Sequence, residues 1–122
     1  MSILIVEDNL INQKIMNQIL RRMGYHSDIV ENGKLATEAV AAKDYDLILM
    51  DIEMPVMDGM TATREIRDAN HSHSPIIIAL TAHVIDEQRN QCFEHGMNDF
   101  LSKPMKIPDL TRVIVKTSRG EY

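Results

Sequence analysis

The segment at residues 47–59, LILMDIEMPVMDG, runs from an apolar stretch directly into a carboxylate. Residues 47–50 are all apolar, which is typical of a strand covered on both faces. Asp51 follows at once, and Asp58 and Gly59 then supply residues that end loops and begin helices. Because a charge at the end of a buried strand is unusual, we predict that Asp51 has a functional role there.

Short aliphatic runs alternate with segments of helical periodicity along the whole chain. Strands are predicted at residues 3–6, 26–30, 47–50, 76–80 and 99–102. Helices are predicted to end at Gly24 and Gly96 and to cover about 34–42, 60–69 and 108–116. This alternation predicts a doubly wound α/β fold with five parallel strands and five helices. We expect one domain over residues 1–117 and a short tail over 118–122.

The first predicted helix has one wide apolar stripe. Ile11, Ile15 and Ile19 recur at four-residue steps, so we assign them to the core. Leu10 and Met16 lie beside this stripe. Either residue can belong to the core or form an exposed contact for a partner protein, and the pattern leaves both interpretations open.

Composition and charge exclude several classes of function. The 122 residues are 44% hydrophobic and 25% charged, as expected for one globular domain. The net charge of −5 argues against binding to a nucleic-acid backbone. Cys92 is the only cysteine, which excludes an intramolecular disulfide, and its context predicts a buried core residue. No signal segment and no apolar run near the ~20 residues of a membrane span is visible, so we expect a cytoplasmic protein without direct membrane contact.

Charged and hydroxyl residues follow four of the predicted strands at their carboxyl ends, where ligands bind in sheets of this kind. They are Glu7, Asp8, Asp51, Thr81 and Lys103. Clustered carboxylates repel one another and require a cation, and hard oxygen ligands favour Mg²⁺ or Mn²⁺ over zinc. We predict a metal held by Asp8 and Asp51, with Glu7 acting through water and the backbone carbonyl of Glu53 completing the site.

A lysine and a threonine beside a metal-bound carboxylate form a place for a tetrahedral oxyanion. The metal, the Lys103 ammonium and the Thr81 hydroxyl would each take one phosphoryl oxygen. A carboxylate is an accepted nucleophile for phosphoryl transfer. Asp51 is therefore the predicted site of an aspartyl phosphate.

Four motifs, ILIVEDN, LILMDIEMPVMDG, IIALTAH and FLSKP, resemble in this order and spacing the receiver domain of two-component response regulators. The opening VEDNLINQKIMNQILRRMGY is most similar to receivers of hybrid sensor histidine kinases. The resemblance implies a flavodoxin-like sheet with strand order 2-1-3-4-5. It also implies roles for individual residues: Asp51 as phosphoacceptor, Glu7 and Asp8 as acidic metal pair, Thr81 as switch hydroxyl, Lys103 as phosphate contact before a cis Pro104, and Phe100 as rotating aromatic.

The resemblance also implies partners and a reaction. A phosphohistidine on a histidine kinase or a histidine phosphotransfer domain would donate its phosphoryl group to Asp51, with Mg²⁺ required. Small acyl or amido phosphates would serve as substitute donors. The partner would dock on the first helix and the loop around Pro104 and Met105, whereas the fourth helix, fifth strand and fifth helix would report the phosphorylated state.

Two residues near the site invite a finer hypothesis about phosphoryl lifetime. Glu53 and His83 lie two residues after Asp51 and Thr81, so we hypothesise that they control the water that hydrolyses the acyl phosphate. The alternative is that both side chains simply face solvent. His71 and His73 lie in a polar connector and are expected to be solvated rather than bound to a metal.

Three other functions are alternatives to a phosphoacceptor. A phosphohydrolase that uses an aspartyl phosphate would need a second aspartate where this chain has Glu53, together with a cap domain. A flavin-binding domain would need a phosphate loop where this chain has Glu7, Asp8 and Asn9. An interaction module that is never phosphorylated is the third alternative, and nothing in the sequence favours it. We therefore expect no enzymatic turnover beyond autocatalytic phosphorylation and self-dephosphorylation.

Overall fold

A computed structural model describes residues 1–54, 56–69, 74–82 and 85–122. Its strands form one parallel sheet in the order β2-β1-β3-β4-β5, which confirms the predicted fold and the implied strand order. The strands are β1 (Ile3–Val6), β2 (Ser27–Val30), β3 (Leu47–Asp51), β4 (Ile76–Thr81) and β5 (Asp99–Ser102). The helices are α1 (Leu10–Arg22), α2 (Gly33–Ala42), α3 (Gly59–Asp68), α4 (Asp86–His95) and α5 (Ile107–Ser118).

Helices cover both faces of the sheet, so successive strand residues pack into two separate cores. α1 and α5 cover one face, where Ile5, Leu49 and Leu80 are buried. α2, α3 and α4 cover the other face, where Met50 and the predicted core residue Cys92 are buried. Two covered faces explain why the central strands are apolar at consecutive positions. None of the helices in the described ranges has the length and apolar character that a bilayer crossing demands.

Two strands extend one residue beyond their predicted ends, and both added residues belong to the predicted site. Asp51 is the last residue of β3 and pairs with Leu80. Thr81 is the last residue of β4 and pairs with Ser102. Both side chains therefore start from paired backbone, which holds them more rigidly than a loop would.

α1 faces the sheet with a different side from the one that the isoleucine spacing indicated. Ile11 is 68% exposed and Ile15 is 49% exposed, so their assignment to the core was wrong. Met16 is only 5% exposed and Leu20 is fully buried, so an exposed docking role for Met16 was also wrong. The apolar arc of α1 is wider than the sheet can cover, and the strip around Met16 and Leu20 takes the buried position.

The edges of this arc are partly or fully open to solvent. Ile19 is half-buried and packs at the border of the core, as a residue between the two sides should. Leu10 is 69% exposed, which agrees with the interpretation of Leu10 as a surface residue. The start of α1 is held by Asn9, whose side-chain oxygen accepts hydrogen bonds from the backbone N–H groups of Ile11 and Asn12.

The half-buried side chain of Arg67 joins several elements at the edge of the sheet opposite the predicted site. Its Nε donates to the carbonyl of Gly96 at 2.9 Å, and its Nη1 donates to the carbonyl of Pro75 at 2.7 Å. Its Nη2 donates to Oδ1 of Asn98 at 2.9 Å, and that same oxygen accepts from the N–H of Ile77. These contacts tie the end of α3 to the end of α4 and to the beginnings of β4 and β5.

The end of the chain packs back on the domain. Tyr122 is half-buried against the core beneath α1 and α5, and its hydroxyl donates to Oδ2 of Asp99 at 2.7 Å. Arg112 Nη1 lies 3.0 Å from the same oxygen. α5 continues to Ser118, and the predicted division between domain and tail at residue 117 stays a prediction.

Gly59 allows the start of α3 to lie directly against the end of β3. A Cβ at this position would collide with the carbonyl oxygen of Asp51 and lie 2.8 Å from Cα of Ile52. Both obstacles are backbone atoms and cannot rotate away. We predict that Gly59→Ala lowers the free energy of unfolding by ~1–3 kcal/mol, as overpacking does elsewhere.

Urea unfolding measures this loss. Thr61→Ala is the matched control, because it places the same side chain at an exposed position in the same turn of α3. Equal stability of the Gly59→Ala variant and the parent protein would show that the close approach of α3 and β3 imposes no constraint.

Candidate functional site

Asp51 lies at the carboxyl-terminal edge of the sheet with both of its carboxylate oxygens held. The residue is 1% exposed. The ammonium of Lys103 lies 2.8 Å from Oδ2. The backbone N–H of Glu53 donates to Oδ1 at 2.9 Å. The carboxylate is thus fixed in position and paired with one cation. Its chain neighbours Met50 and Ile52 are buried apolar residues, so Asp51 is a charged residue within an otherwise apolar segment.

The two acids after β1 complete an acidic cluster around Asp51. Carboxylate oxygens of Glu7, Asp8 and Asp51 all lie within 4.8 Å of one another. Glu7 is 1% exposed, whereas Asp8 is exposed to solvent. Lys103 also lies 3.4 Å from Oε2 of Glu7. One ammonium thus pairs with two of the three carboxylates, and hard oxygen ligands at this spacing fit a divalent cation such as Mg²⁺.

The electrostatics of the cluster appear in two pKa shifts. Burial, then hydrogen bonding to Asp51, raises the pKa of Glu7 to about 7. Burial alone would lower the pKa of Lys103, but the hydrogen bond and charge of Asp51, followed by those of Glu7, outweigh it and raise that pKa. Without a metal, the cluster thus lowers its repulsion by retaining a proton on Glu7.

Two amide side chains from the first turns of α1 hold Glu7 in place. Nδ2 of Asn12 donates to Oε1 of Glu7 at 2.7 Å. Nε2 of Gln13 donates to the backbone carbonyl of Glu7 at 2.6 Å. The Asn12 hydrogen bond favours the ionised carboxylate and so opposes the rise in its pKa. These contacts orient a buried acid that would otherwise rotate within the cluster.

Of the two residues predicted as a conformational switch, Thr81 ends its strand at the edge of the sheet that carries the cluster, whereas Phe100 lies two residues before the end of β5. Thr81 is buried at the end of β4, and its hydroxyl donates to Oε1 of Gln88 at 3.0 Å. Phe100 lies on β5 and is half-buried against the core under α4. The peptide bond between Lys103 and Pro104 is cis, as expected. The structure thus brings Asp51, Lys103 and Thr81 to one edge.

The structure does not test the roles predicted for Glu53 and for three histidines near the site. The side chain of Glu53 is exposed and lies next to Asp51 in the loop that follows β3. A metal-binding role of its carbonyl and a role in hydrolysis both stay predictions. His83 lies outside the described residues, as do His71 and His73.

An exposed apolar surface adjoins the site where α1 meets the loop before α5. We call it the α1–α5 surface, and it consists of the exposed residues Leu10, Ile11, Ile15 and Ile107 together with half-buried Met105. A small cavity of about 60 Å³ opens between Ile15, Pro104 and Met105, next to Lys103. A groove beside it runs between Ile19, Arg22 and Ile107. This surface borders Glu7 and Lys103 directly, because both residues also line the cavity.

Sequence reasoning missed the amide side chains that contact the functional residues. No role at the site was predicted for Asn12, Gln13 or Gln88. Asn12 lies five residues after Glu7. Because α1 begins only a few residues after β1 ends, a side chain in its first turn can reach back to Glu7. A search for amide side chains in the first turns of helices that follow acidic strand ends would have found Asn12 and Gln13. It would not have found Gln88, because the strand before its helix ends in threonine.

The raised pKa of Glu7 predicts a metal effect that depends on pH. Between pH 4.5 and about 7, folded Glu7 holds a proton that the unfolded chain has released, so stability without metal falls as pH rises through this range. Mg²⁺ replaces that proton and binds better at high pH. At about ten times its Kd at pH 8, Mg²⁺ should add ~1.4 kcal/mol of stability, and clearly less at pH 5.

Thermal unfolding from pH 5 to 8, with and without Mg²⁺, measures both effects. Glu7→Gln should flatten the metal-free pH dependence, whereas Glu38→Gln on the exposed face of α2 should leave it unchanged. A Mg²⁺ effect of the same size at pH 5 and pH 8 would contradict competition between proton and metal.

Comparisons with known proteins agree with this geometry. The profile of the response regulator receiver domain matches residues 3–115. Hybrid signal transduction histidine kinase B of Dictyostelium discoideum is 43% identical over 126 residues, a match that covers 93% of this chain but only 6% of that kinase. The chain therefore corresponds to a small part of the hybrid kinase that it resembles.

Two of the similar solved structures resemble the chain in both fold and sequence. One is the receiver domain of a sensor histidine kinase from Pseudomonas aeruginosa, with a magnesium ion in its active-site cleft; its TM-score is 0.86, with 43% identity and 94% of each chain covered. The other is the receiver domain of the Saccharomyces cerevisiae response regulator Ssk1 in complex with the histidine phosphotransfer protein Ypd1. Its TM-score is 0.87, with 33% identity over 95% of this chain and 87% of that chain. With the acidic cluster, the strand order and these matches in agreement, the chain belongs to the response regulator receiver domain family.

Proposed function

We propose that this receiver domain accepts a phosphoryl group from a phosphohistidine donor onto Asp51 in a Mg²⁺-dependent reaction. The observation that carries the proposal is the position of Asp51. It is a buried carboxylate, held at 2.8 Å by Lys103 and within 4.8 Å of two further acids. A purely structural ion pair would not need the two extra carboxylates, which add repulsion unless a cation binds.

The chain's own residues supply most of what the transfer requires. An oxygen of Asp51 attacks phosphorus, the bond between phosphorus and the imidazole nitrogen breaks, and the electron pair stays on that nitrogen. The N–H of Glu53 orients the attacking carboxylate, and the Lys103 ammonium neutralises charge on the phosphoryl oxygens. Asp8, Asp51 and the backbone carbonyl of Glu53 would hold Mg²⁺, with Glu7 acting through water, and the bound ion would supply further neutralisation of the phosphoryl group.

The remaining predicted roles concern the response to phosphorylation and its lifetime. Thr81 would donate its hydroxyl to a phosphoryl oxygen, and Phe100 would turn inward, so that the population shifts between two existing conformations. Glu53 and His83 would set the rate at which water hydrolyses the acyl phosphate. Turnover is limited to the domain's own phosphoryl group, which makes it a signalling phosphoacceptor and not a classical enzyme.

The proposed donor is a histidine kinase or a histidine phosphotransfer domain that docks on the α1–α5 surface. The complex of the Ssk1 receiver with Ypd1 supports this type of partner. Leu10, Ile11 and Ile15 supply exposed apolar area on α1, which a partner helix can cover, and Ile15 lines the same cavity as Glu7 and Lys103. We propose a cytoplasmic location, either as a free protein or within a membrane-attached hybrid kinase.

Intact mass after incubation with Mg²⁺ and acetyl phosphate or phosphoramidate tests the phosphoacceptor. We expect one added phosphoryl group in the parent protein and none in Asp51→Asn or in the presence of EDTA. Loss of the Lys103 ammonium in Lys103→Met should reduce labelling at least about tenfold, because one charge-assisted contact is lost.

A purified phosphohistidine protein serves as a second donor if the small donors fail. If no donor adds a phosphoryl group to the parent protein, the proposal is wrong, and an unphosphorylated interaction module becomes the best explanation of the fold.

If the donor docks on the α1–α5 surface, a charged substitution there should slow transfer from protein donors but not from small donors. Ile15→Glu places a charge in the middle of the α1–α5 surface and should slow transfer from a phosphohistidine protein about tenfold or more. Labelling by acetyl phosphate should stay within about twofold, because Asp51 and its contacts are unaltered. Transfer rates from both donors measure the difference.

Val115→Glu is the matched control, since Val115 is an exposed apolar residue of α5 two turns beyond Ile107. An equal loss with both donors in Ile15→Glu would indicate damage to the site, and no loss with either would move the partner to another surface.

A further inference from the structure

Gln88 in the first turn of α4 contacts the switch hydroxyl directly. Thr81 Oγ1 donates to Gln88 Oε1 at 3.0 Å, and Gln88 is half-buried in this position. A threonine hydroxyl has only one proton to donate. While that proton is given to Gln88, it is not available to a phosphoryl oxygen on Asp51.

The same part of α4 also contacts the second switch residue. The guanidinium carbon of Arg89 lies 5.1 Å from the ring centroid of Phe100. Phe93 packs its edge against the same ring, with centroids 6.4 Å apart and an interplanar angle of 79°. Cation–π and edge-to-face contacts of this geometry are attractive. Side chains of α4 thus contact both Thr81 and Phe100 in their present positions.

We propose that Gln88 is a positioning residue that latches Thr81 in the unphosphorylated conformation and thereby sets how readily the domain switches. This inference rests on the proposed phosphoacceptor function. A phosphoryl group shifts a conformational equilibrium only by the difference in its interactions with the two states. The Thr81–Gln88 hydrogen bond exists in one state and must break in the other, so it lowers the population of the switched state.

The size of the effect follows from the usual net contribution of one hydrogen bond. Removal of the acceptor should raise the population of the switched state about two- to tenfold. The apparent affinity for a ligand that binds only the switched state rises by the same factor while that state remains minor. Gln88→Met removes the acceptor and keeps the length and helix propensity of the side chain.

The first experiment needs no phosphoryl group. Three-bond couplings from Cγ2 to the backbone N and C′ report the χ1 rotamer of Thr81 in the unphosphorylated protein. We expect one dominant rotamer in the parent, a mixture in Gln88→Met, and return to the parent rotamer in Gln88→Glu, which retains an acceptor. Gln91→Met is the control on an exposed position of the same helix. An unchanged Thr81 rotamer in Gln88→Met would overturn the latch.

The second experiment measures the switch itself with beryllofluoride, an analogue of the phosphoryl group, in the presence of Mg²⁺. Gln88→Met should bind beryllofluoride about two- to tenfold more tightly than the parent or Gln91→Met, whereas its affinity for Mg²⁺ alone should be unchanged. Equal beryllofluoride affinities would overturn the latch and leave the phosphoacceptor intact. No beryllofluoride binding and no phosphorylation of the parent would instead overturn the phosphoacceptor proposal, and the latch with it.

Discussion

Repulsion among three carboxylates at one edge of the sheet is the constraint on which the site depends. At an effective dielectric near 20, one pair of like charges about 4 Å apart costs ~4 kcal/mol. Lys103 offsets part of this cost through its contacts with Asp51 and Glu7. Burial and the remaining repulsion favour a proton on Glu7 in the absence of a cation. The same imbalance makes the edge a favourable place for a divalent metal and for the phosphoryl oxygens that such a metal attracts.

The position of the site was predictable because a parallel sheet converts sequence order into spatial order. Every strand of such a sheet ends at the same edge, so residues that follow different strands meet there. Asp51 and Thr81 end their strands, and Lys103 comes one residue after β5, close enough for its ammonium to reach Asp51. Only residue types and strand ends were needed for this inference. The order of the strands came from the family resemblance and not from the pattern.

The rotation of helices against the sheet could not be predicted in the same way. The wide apolar arc of α1 is compatible with several rotations, and packing at Met16 and Leu20 selects one that leaves Ile11 and Ile15 in solvent. The contact between Gln88 and Thr81 depends on where α4 begins and how it lies on β5, and neither is encoded by a local motif. The contacts of Arg67 could not be predicted either. Some of its acceptors lie about 30 residues further along the chain and others lie nearby, so no local pattern relates them.

The contacts of Arg67 have a mechanical consequence for α4. They fasten the carboxyl-terminal end of this helix at Gly96, and Arg64 adds a hydrogen bond to the carbonyl of Glu94. The other end, at Asp86, lies roughly 15 Å away along the axis of a ten-residue helix. We therefore expect α4 to rotate about Gly96, so that a small rotation there produces its largest displacement at the end of the helix that contacts Thr81.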